Sequence, residues 1–299
     1  TLDLGTEESS TPLDWALYLP EKWVQDPVRR KEAGVPEEVT FKTKPELALD
    51  LIDEVKAWGL QDRLVLTDSG YGDVYEFRQG LRNRGLNYVV QVSGGLMAWT
   101  EDPHPAEPPM KRGGKIPRKR FYANDFPPPR SLCQIAKDLP SQSWKKVTWR
   151  EGTKGPLSSR FARVIVWMAN GLVQGKTMEE PSEELLIEWP EGDKEPWKFW
   201  LSSLPSHRTS FRGLVRKAKG RFRIEQDYEE MKGELGLDHF EGRSWQGWHH
   251  HVTLVTLAYA FLTLEKMGNK KNFWIDVASC PPVDPEMLDV VHRHLPHLQ

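Results

Sequence analysis

The chain has 299 residues, with 41 Lys and Arg set against 43 Asp and Glu and a net charge of −2. That length suits one large domain with an insertion, or two domains. No apolar run approaches the ~20 residues of a membrane span, so no membrane partner is expected. Cys133 and Cys280 are too few and too isolated for a disulfide framework or a zinc site, which points to a reducing, cytosolic compartment.

In chain order, Leu13 to Leu19 reads as a strand, and Glu37 to Phe41 extends it after a Pro/Gly loop. Pro45 opens a helix to about Trp58, with Leu47, Leu51, Ile52 and Val55 as its buried face and Gly59 as its stop. Leu64 to Thr67 is a short buried strand that ends on Asp68 and a glycine turn reaching Asp73. Carboxylates at the C-terminal ends of strands sit where open α/β sheets bind ligands. Asp73 reads as a helix N-cap, with a spare ligand as the alternative. Val74 to Arg84 is helical, Gly85 closes it, and Leu86 to Val92 supplies a second β-rich run.

Pro103 to Pro129 is rich in Pro, Gly and cations, six of them between Lys111 and Arg120, and reads as a boundary or surface loop. A β-rich block follows, with strand-like runs at Phe161 to Met168, Glu184 to Trp189 and Trp197 to Ser202 and turn residues such as Asn170-Gly171 between them. Of thirteen tryptophans, Trp167, Trp189, Trp197 and Trp200 fall in this block, where sheet packing is the plain reading of each. Between Asp68 and Glu225 lie 156 residues, far more than one compact sheet needs, and a β-strand insertion accounts for them.

Seven cations and no acid occupy Ser206 to Ile224: Arg208, Arg212, Arg216, Lys217, Lys219, Arg221 and Arg223. Such a cluster supplies salt-dependent phosphate attraction even where acids elsewhere cancel it in the total. The helix that follows carries Arg221, Glu225 and Lys232 on one ridge, beside a stripe of Ile224, Tyr228, Met231 and Leu235 that can be buried. A carboxylate seated between two fixed cations suits metal-and-phosphate work; a solvated face with i,i+4 ion pairs is the alternative. Consecutive His249, His250 and His251 point about 100° apart on a helix and chelate one ion poorly, so a helix start that packs Trp248 is expected there. Pro285 to His292 reads as one further helix.

Taken together, these motifs resemble the catalytic region of DDE transposases from bacterial insertion sequences, in the subgroup described as DDE superfamily endonuclease with a Tyr-x2-Arg-x3-Glu-x6-Lys signature. The resemblance rests on Ala-Leu-Tyr-Leu-Pro-Glu-Lys-Trp (16–23), Ala-Gly-Val-Pro (33–36), Leu-Thr-Asp-Ser-Gly-Tyr-Gly-Asp (66–73), Leu-Leu-Ile-Glu-Trp-Pro-Glu-Gly (185–192), Phe-Trp-Leu-Ser-Ser-Leu-Pro (199–205) and the long run 221–245. It spans roughly Leu13 to Leu264. It implies an α/β fold, an RNase H-like mixed sheet with flanking helices, interrupted by a β-rich insertion domain. The parts would be a first core segment (1–102), the loop and insertion (103–205), the glutamate-bearing core segment (206–265) and a C-terminal tail (266–299).

The resemblance also implies Asp68 and Glu225 as catalytic, metal-ligating carboxylates for two Mg2+ (or Mn2+) ions. Arg221, Lys232, Arg216, Lys219, Arg223 and Arg243 become DNA contacts, and Trp197 or Trp200 a platform for a flipped base. The implied partners are double-stranded DNA, as terminal inverted repeats and target, and a second copy in a homodimer; the implied location is the bacterial cytoplasm, associated with the nucleoid. Two departures stand out. The signature tyrosine falls at Ala218, and the first aspartate is expected on a strand ahead of Leu13 to Leu19, where Asp3 and Asp14 are the nearest acids and neither has the expected context. The chain is therefore expected to be a fragment with impaired cleavage. The competing readings are a catalytically inactive DNA-binding remnant and a phosphohydrolase unrelated to DNA; Ser69-Gly70 after Asp68 lacks the second aspartate that the latter needs.

Overall fold

A computed structural model describes residues 1–6, 9–60, 63–103, 127–152, 155–169 and 181–268 and the backbone of 287–290. The strands are β1 (Leu2–Gly5), β2 (Ser10–Asp14), β3 (Leu64–Thr67), β4 (Tyr88–Val92), β5 (Met97–Trp99), β6 (Arg130–Ser131), β7 (Lys145–Gly152), β8 (Gly155–Met168), β9 (Glu183–Glu188), β10 (Lys198–Ser202) and β11 (Met287–Val290). The helices are α1 (Glu21–Val24), α2 (Pro27–Ala33), α3 (Lys44–Ala57), α4 (Ser69–Gly72), α5 (Tyr75–Asn83), α6 (Leu132–Asp138), α7 (Phe211–Lys219), α8 (Phe222–Leu235) and α9 (Trp245–Gly268). None of the helices among the described residues is long and apolar enough to cross a membrane. The chain divides into two compact units, Thr1–Thr67 with Gly80–Leu86 and Gly220–Gln299, and Asp68–Gln79 with Asn87–Lys219.

The first unit holds a mixed sheet in the order β2-β1-β11-β3, antiparallel except for the parallel pair β11–β3. Side-chain alternation along β1 and β2 sorts its helices to two faces. Asp3 and Ser10 turn toward α8, where Ser10 donates to Asp227. Asp14 sits on the opposite face, where its charge, aided by burial, raises the pKa of the Glu54 carboxyl on α3. The helix α3 forms where its sequence calls for one: Thr43 and Glu46 close a capping box, Pro45 fits the first turn, and Gly59 ends it at φ 95°. Its inward residues are Ala48, Leu51, Ile52 and Val55. The mixed sheet flanked by helices is consistent with the RNase H-like expectation.

The second unit is β-rich. Strands β4, β10, β9, β8 and β7 pair antiparallel in that order, and β5 joins the end of β8 and pairs with β6. Every residue of β9 is buried, with Leu185, Leu186 and Ile187 fully so. The helix α5 and the strands β3, β4, β8, β9 and β10 match the expected segments to within a few residues, apart from an earlier start to β8.

Three expectations fail. The strand of 13–19 lies instead at Ser10–Asp14, and residues 15–20 have no regular structure, because the β1 register runs from Gly5↔Ser10 to Leu2↔Asp14 and gives them no partner. Residues 37–41 form a turn and loop, not a strand. The helix of 285–292 is overturned: Met287–Val290 is a strand, hydrogen-bonded on one side to β1 and on the other to β3. Two ladders of backbone hydrogen bonds outweigh a weak local helical preference. The basic run Lys111 to Arg120 and the turn Asn170-Gly171 lie outside the described residues. A register test follows. Leu4 and Leu288 are opposite each other, so Leu4→Cys with Leu288→Cys should form an intramolecular disulfide on mild oxidation, read by mass spectrometry; persistent free thiols would refute the β1–β11 register.

Candidate active site

On the first unit, α8 fixes the geometry. Its inward face is Ile224, Asp227, Tyr228 and Met231, and Gly236 ends it in the left-handed conformation at φ 66°. Ile224, Tyr228 and Met231 join Trp248, Val252, Val255 and Tyr259 of α9 in one apolar cluster, with Trp15, Leu17 and Leu235 against it. The expected stripe is thus the buried one, and it places the Arg221–Glu225–Lys232 ridge along its rim. Arg221 occupies the N-cap, Arg221 and Lys232 are half-buried, and Glu225 in the first turn is exposed with no side-chain partner among the described residues.

The carboxylate that faces the sheet is Asp227. It accepts hydrogen bonds from Ser10 of β2 and, at 2.7 Å, from the Tyr259 hydroxyl of α9. Burial raises its pKa against the pull of those two donors, and burial with the Asp227 hydrogen bond raises that of the Tyr259 phenol. Glu230, one turn on, lies 3.4 Å from the same hydroxyl and pairs with Lys266 at 3.0 Å. Sequence reading passed over Asp227, although its spacing from Ile224 and Met231 puts it on the buried stripe.

Asp3 lies nearby, fully buried. Thr1 donates to one of its oxygens at 3.0 Å, and Oδ1 has no hydrogen-bond partner. Burial pushes the Asp3 carboxyl up to about 7; the Asp227 charge adds to the rise, while the Thr1 amino group, the Thr1 hydroxyl and Arg221 oppose it. An acid whose folded pKa lies above its ordinary value stabilises the fold below that value, and the contribution is lost as pH rises through the folded pKa. The unfolding free energy from urea titrations should therefore fall as pH rises from about 4 to about 7, by an amount on the order of a few kcal/mol, and Asp3→Asn should flatten the profile. A wild-type free energy that rises over this range would contradict the assignment.

In the second unit, Asp68 directly follows β3 and caps the single turn α4, accepting from the Gly70 N–H at 2.9 Å. Gly70 leaves it room, since a Cβ there would stand 3.1 Å from Asp68 Oδ1, and Gly72 lets the turn lie on β4, where a Cβ would meet the Gln91 carbonyl oxygen at 2.0 Å. Asp73 accepts from the Ser93 N–H at 2.7 Å and does not cap α5, contrary to expectation.

The cations of 206–224 are not equivalent. Lys219 Nζ lies 2.5 Å from the buried Glu188 carboxylate, with Trp149, Trp200 and Phe161 around it at 4.6, 5.4 and 5.7 Å, and burial lowers its pKa. Arg216 is exposed without an ion pair among the described residues, and the Arg223 guanidinium lies 5.5 Å from the Phe222 ring. Trp200 is 2% exposed inside the sheet, whereas Trp197 is 64% exposed. At the start of α9, Trp248 is buried, as expected, and His250 is exposed; His249 and His251 bond to the Trp245 and Leu237 carbonyls.

Asp68 and Glu225 offer the hard oxygen donors that Mg2+ favours. Among the described residues, however, no three His, Cys, Asp or Glu side chains converge to hold a metal ion. The donor type fits and the number does not, so no chemical step is assigned to a metal here. No curated protein matches the chain. A family described as DDE superfamily endonuclease matches residues 1–156, more than half of the sequence. With a strand-end aspartate on a glycine turn and a mixed sheet flanked by helices, the chain belongs to the DDE superfamily endonuclease family.

Proposed function

We propose that the chain is the catalytic region of an insertion-sequence transposase, which grips DNA through the α8 ridge and supplies Asp68 and Glu225 to phosphodiester cleavage and strand joining. The family implies DNA as substrate and chemistry that generally uses divalent metals. The observation that carries the reading is Glu225: an exposed carboxylate without a side-chain partner among the described residues, on a helix rim between Arg221 and Lys232. A carboxylate serving only packing or an ion pair would be buried or paired, as Asp227 and Glu230 are.

Asp68 and Glu225 would offer carboxylate oxygens to the divalent metal that the family generally uses, whose Lewis acidity would favour phosphodiester cleavage. The chain's own residues do the rest. Arg221 holds a phosphate through its planar fork and Lys232 a second as a point charge. Arg216, Arg223 and Arg243 extend the contact to the DNA backbone, while Lys219 is engaged by Glu188 and serves packing first. Trp197, exposed on β10's approach, is the better placed of the two tryptophans to stack on a base. Transposon ends and target DNA are the proposed partners, with a homodimer as the working assembly. The second reading is a catalytically inactive DNA-binding remnant, in keeping with the finding that no three His, Cys, Asp or Glu side chains among the described residues are placed to hold a metal ion.

Glu225→Gln should abolish Mg2+-dependent nicking of a supercoiled plasmid and leave DNA affinity within about twofold, since no phosphate contact is removed. Equal nicking by both proteins would remove Glu225 from the chemistry, and no nicking by either would favour the binding-only reading. Arg221→Ala should weaken binding and reduce the slope of log K against log salt by about one. An unchanged slope would give that arginine a purely structural role.

A further inference from the structure

The helix α9 is apolar on two sides. Its inward side, Trp248, Val252, Val255 and Tyr259, is buried in the cluster with α8. On the opposite side Leu254, Leu257 and Phe261 are 53%, 61% and 61% exposed. They recur at the three- and four-residue steps that make one stripe along a helix. A stripe meant for water would carry charge, yet from Trp248 to Leu264 the helix has no Asp, Glu, Lys or Arg. A helix that is apolar all round is one covered on both sides, and contiguous exposed apolar surface marks a contact with protein or membrane. α9 is not long and apolar enough to cross a membrane. The stripe ends on polar side chains, His250 at one end and Glu265 at the other. Both are exposed, and neither has a side-chain partner among the described residues.

We propose that this face binds a second copy of the chain, two α9 helices packing antiparallel across a two-fold axis that passes between Leu257 and Ala258. The occupant follows from the symmetry of the stripe itself. About that axis Leu254 meets the partner's Phe261, Leu257 meets the partner's Ala258, and His250 meets the partner's Glu265. Each contact is made twice, as a closed dimer requires. From His250 to Glu265 the seam runs about 22 Å at ~1.5 Å per residue. At each of its ends an imidazole N–H of one copy faces a carboxylate of the other. A parallel pair would instead set Glu265 against the partner's Glu265, and like charges brought together oppose association. Antiparallel pairing removes on the order of 1,000 Å² from water in total, the lower edge for a specific interface, so the dimer exchanges with monomer. The inference rests on the homodimer named above and supplies its surface.

The test is sedimentation velocity on the whole chain without DNA, over an about hundredfold range of concentration, where a reversible monomer–dimer equilibrium is expected. Leu257→Glu and Phe261→Glu should each weaken the dimer about tenfold or more and leave the circular dichroism spectrum unchanged, since both side chains are exposed. His250→Glu sets two carboxylates together and should weaken it about tenfold, and adding Glu265→Lys should restore it to within about threefold. A chain that sediments as a monomer throughout overturns the proposal, as does a dimer indifferent to Leu257→Glu and Phe261→Glu. A dimer lost in those variants but not restored by the second charge overturns the antiparallel two-fold. Unfolding caused by Leu257→Glu in a chain that is always monomeric assigns the face to the chain's own segments instead. The nuclease reading is tested by nicking and stands or falls separately.

Discussion

The buried carboxylate of Asp227 sets the rotation of α8, and the candidate site depends on that rotation. Ser10 on the sheet and Tyr259 on α9 both donate to it, so one side chain ties three elements together. A buried acid without its donors is costly, by roughly 1–3 kcal/mol for each polar group left unsatisfied and more for a charge. Turning α8 by even one residue would expel Asp227 from its donors and carry Ile224 and Met231 out of the apolar cluster. With that rotation fixed, Arg221, Glu225 and Lys232 lie along the rim.

Two kinds of acid thus coexist on the first unit. Asp3 and Asp227 are inside, and burial shifts both toward their neutral forms. Glu225 stands in solvent, where its charge costs little and remains available to a cation or to water. The division follows from burial: desolvation that favours packing an acid also disfavours the ionised form that ligates hard metal ions. The same contrast separates the cations. Lys219 neutralises Glu188 inside an aromatic surround, while Arg216 and Arg243 face solvent.

Much of the framework was legible because it is written in local chemistry. The capping box at Thr43, the left-handed glycines 59 and 85, and the buried run Leu64–Thr67 ending on Asp68 each have a short-range cause. The stripe of Ile224, Tyr228 and Met231 follows from 3.6-residue periodicity alone. What local patterns missed depended on partners far along the chain. Residues 15–19 have strand-like composition but no neighbouring strand to pair with, and the cation count could not tell that one lysine had a buried glutamate waiting 31 residues earlier.

By itself the sequence determined the helix faces, the turn around Asp68, the basic approach to α8 and the family to which these belong, since each depends on the order of neighbouring residues. Tertiary structure decided which acid turns inward, which cation is left to solvent, and that Met287–Val290 is a strand. Those outcomes turn on desolvation and on backbone hydrogen bonds to β1 and β3, and such terms exist only once distant segments have met.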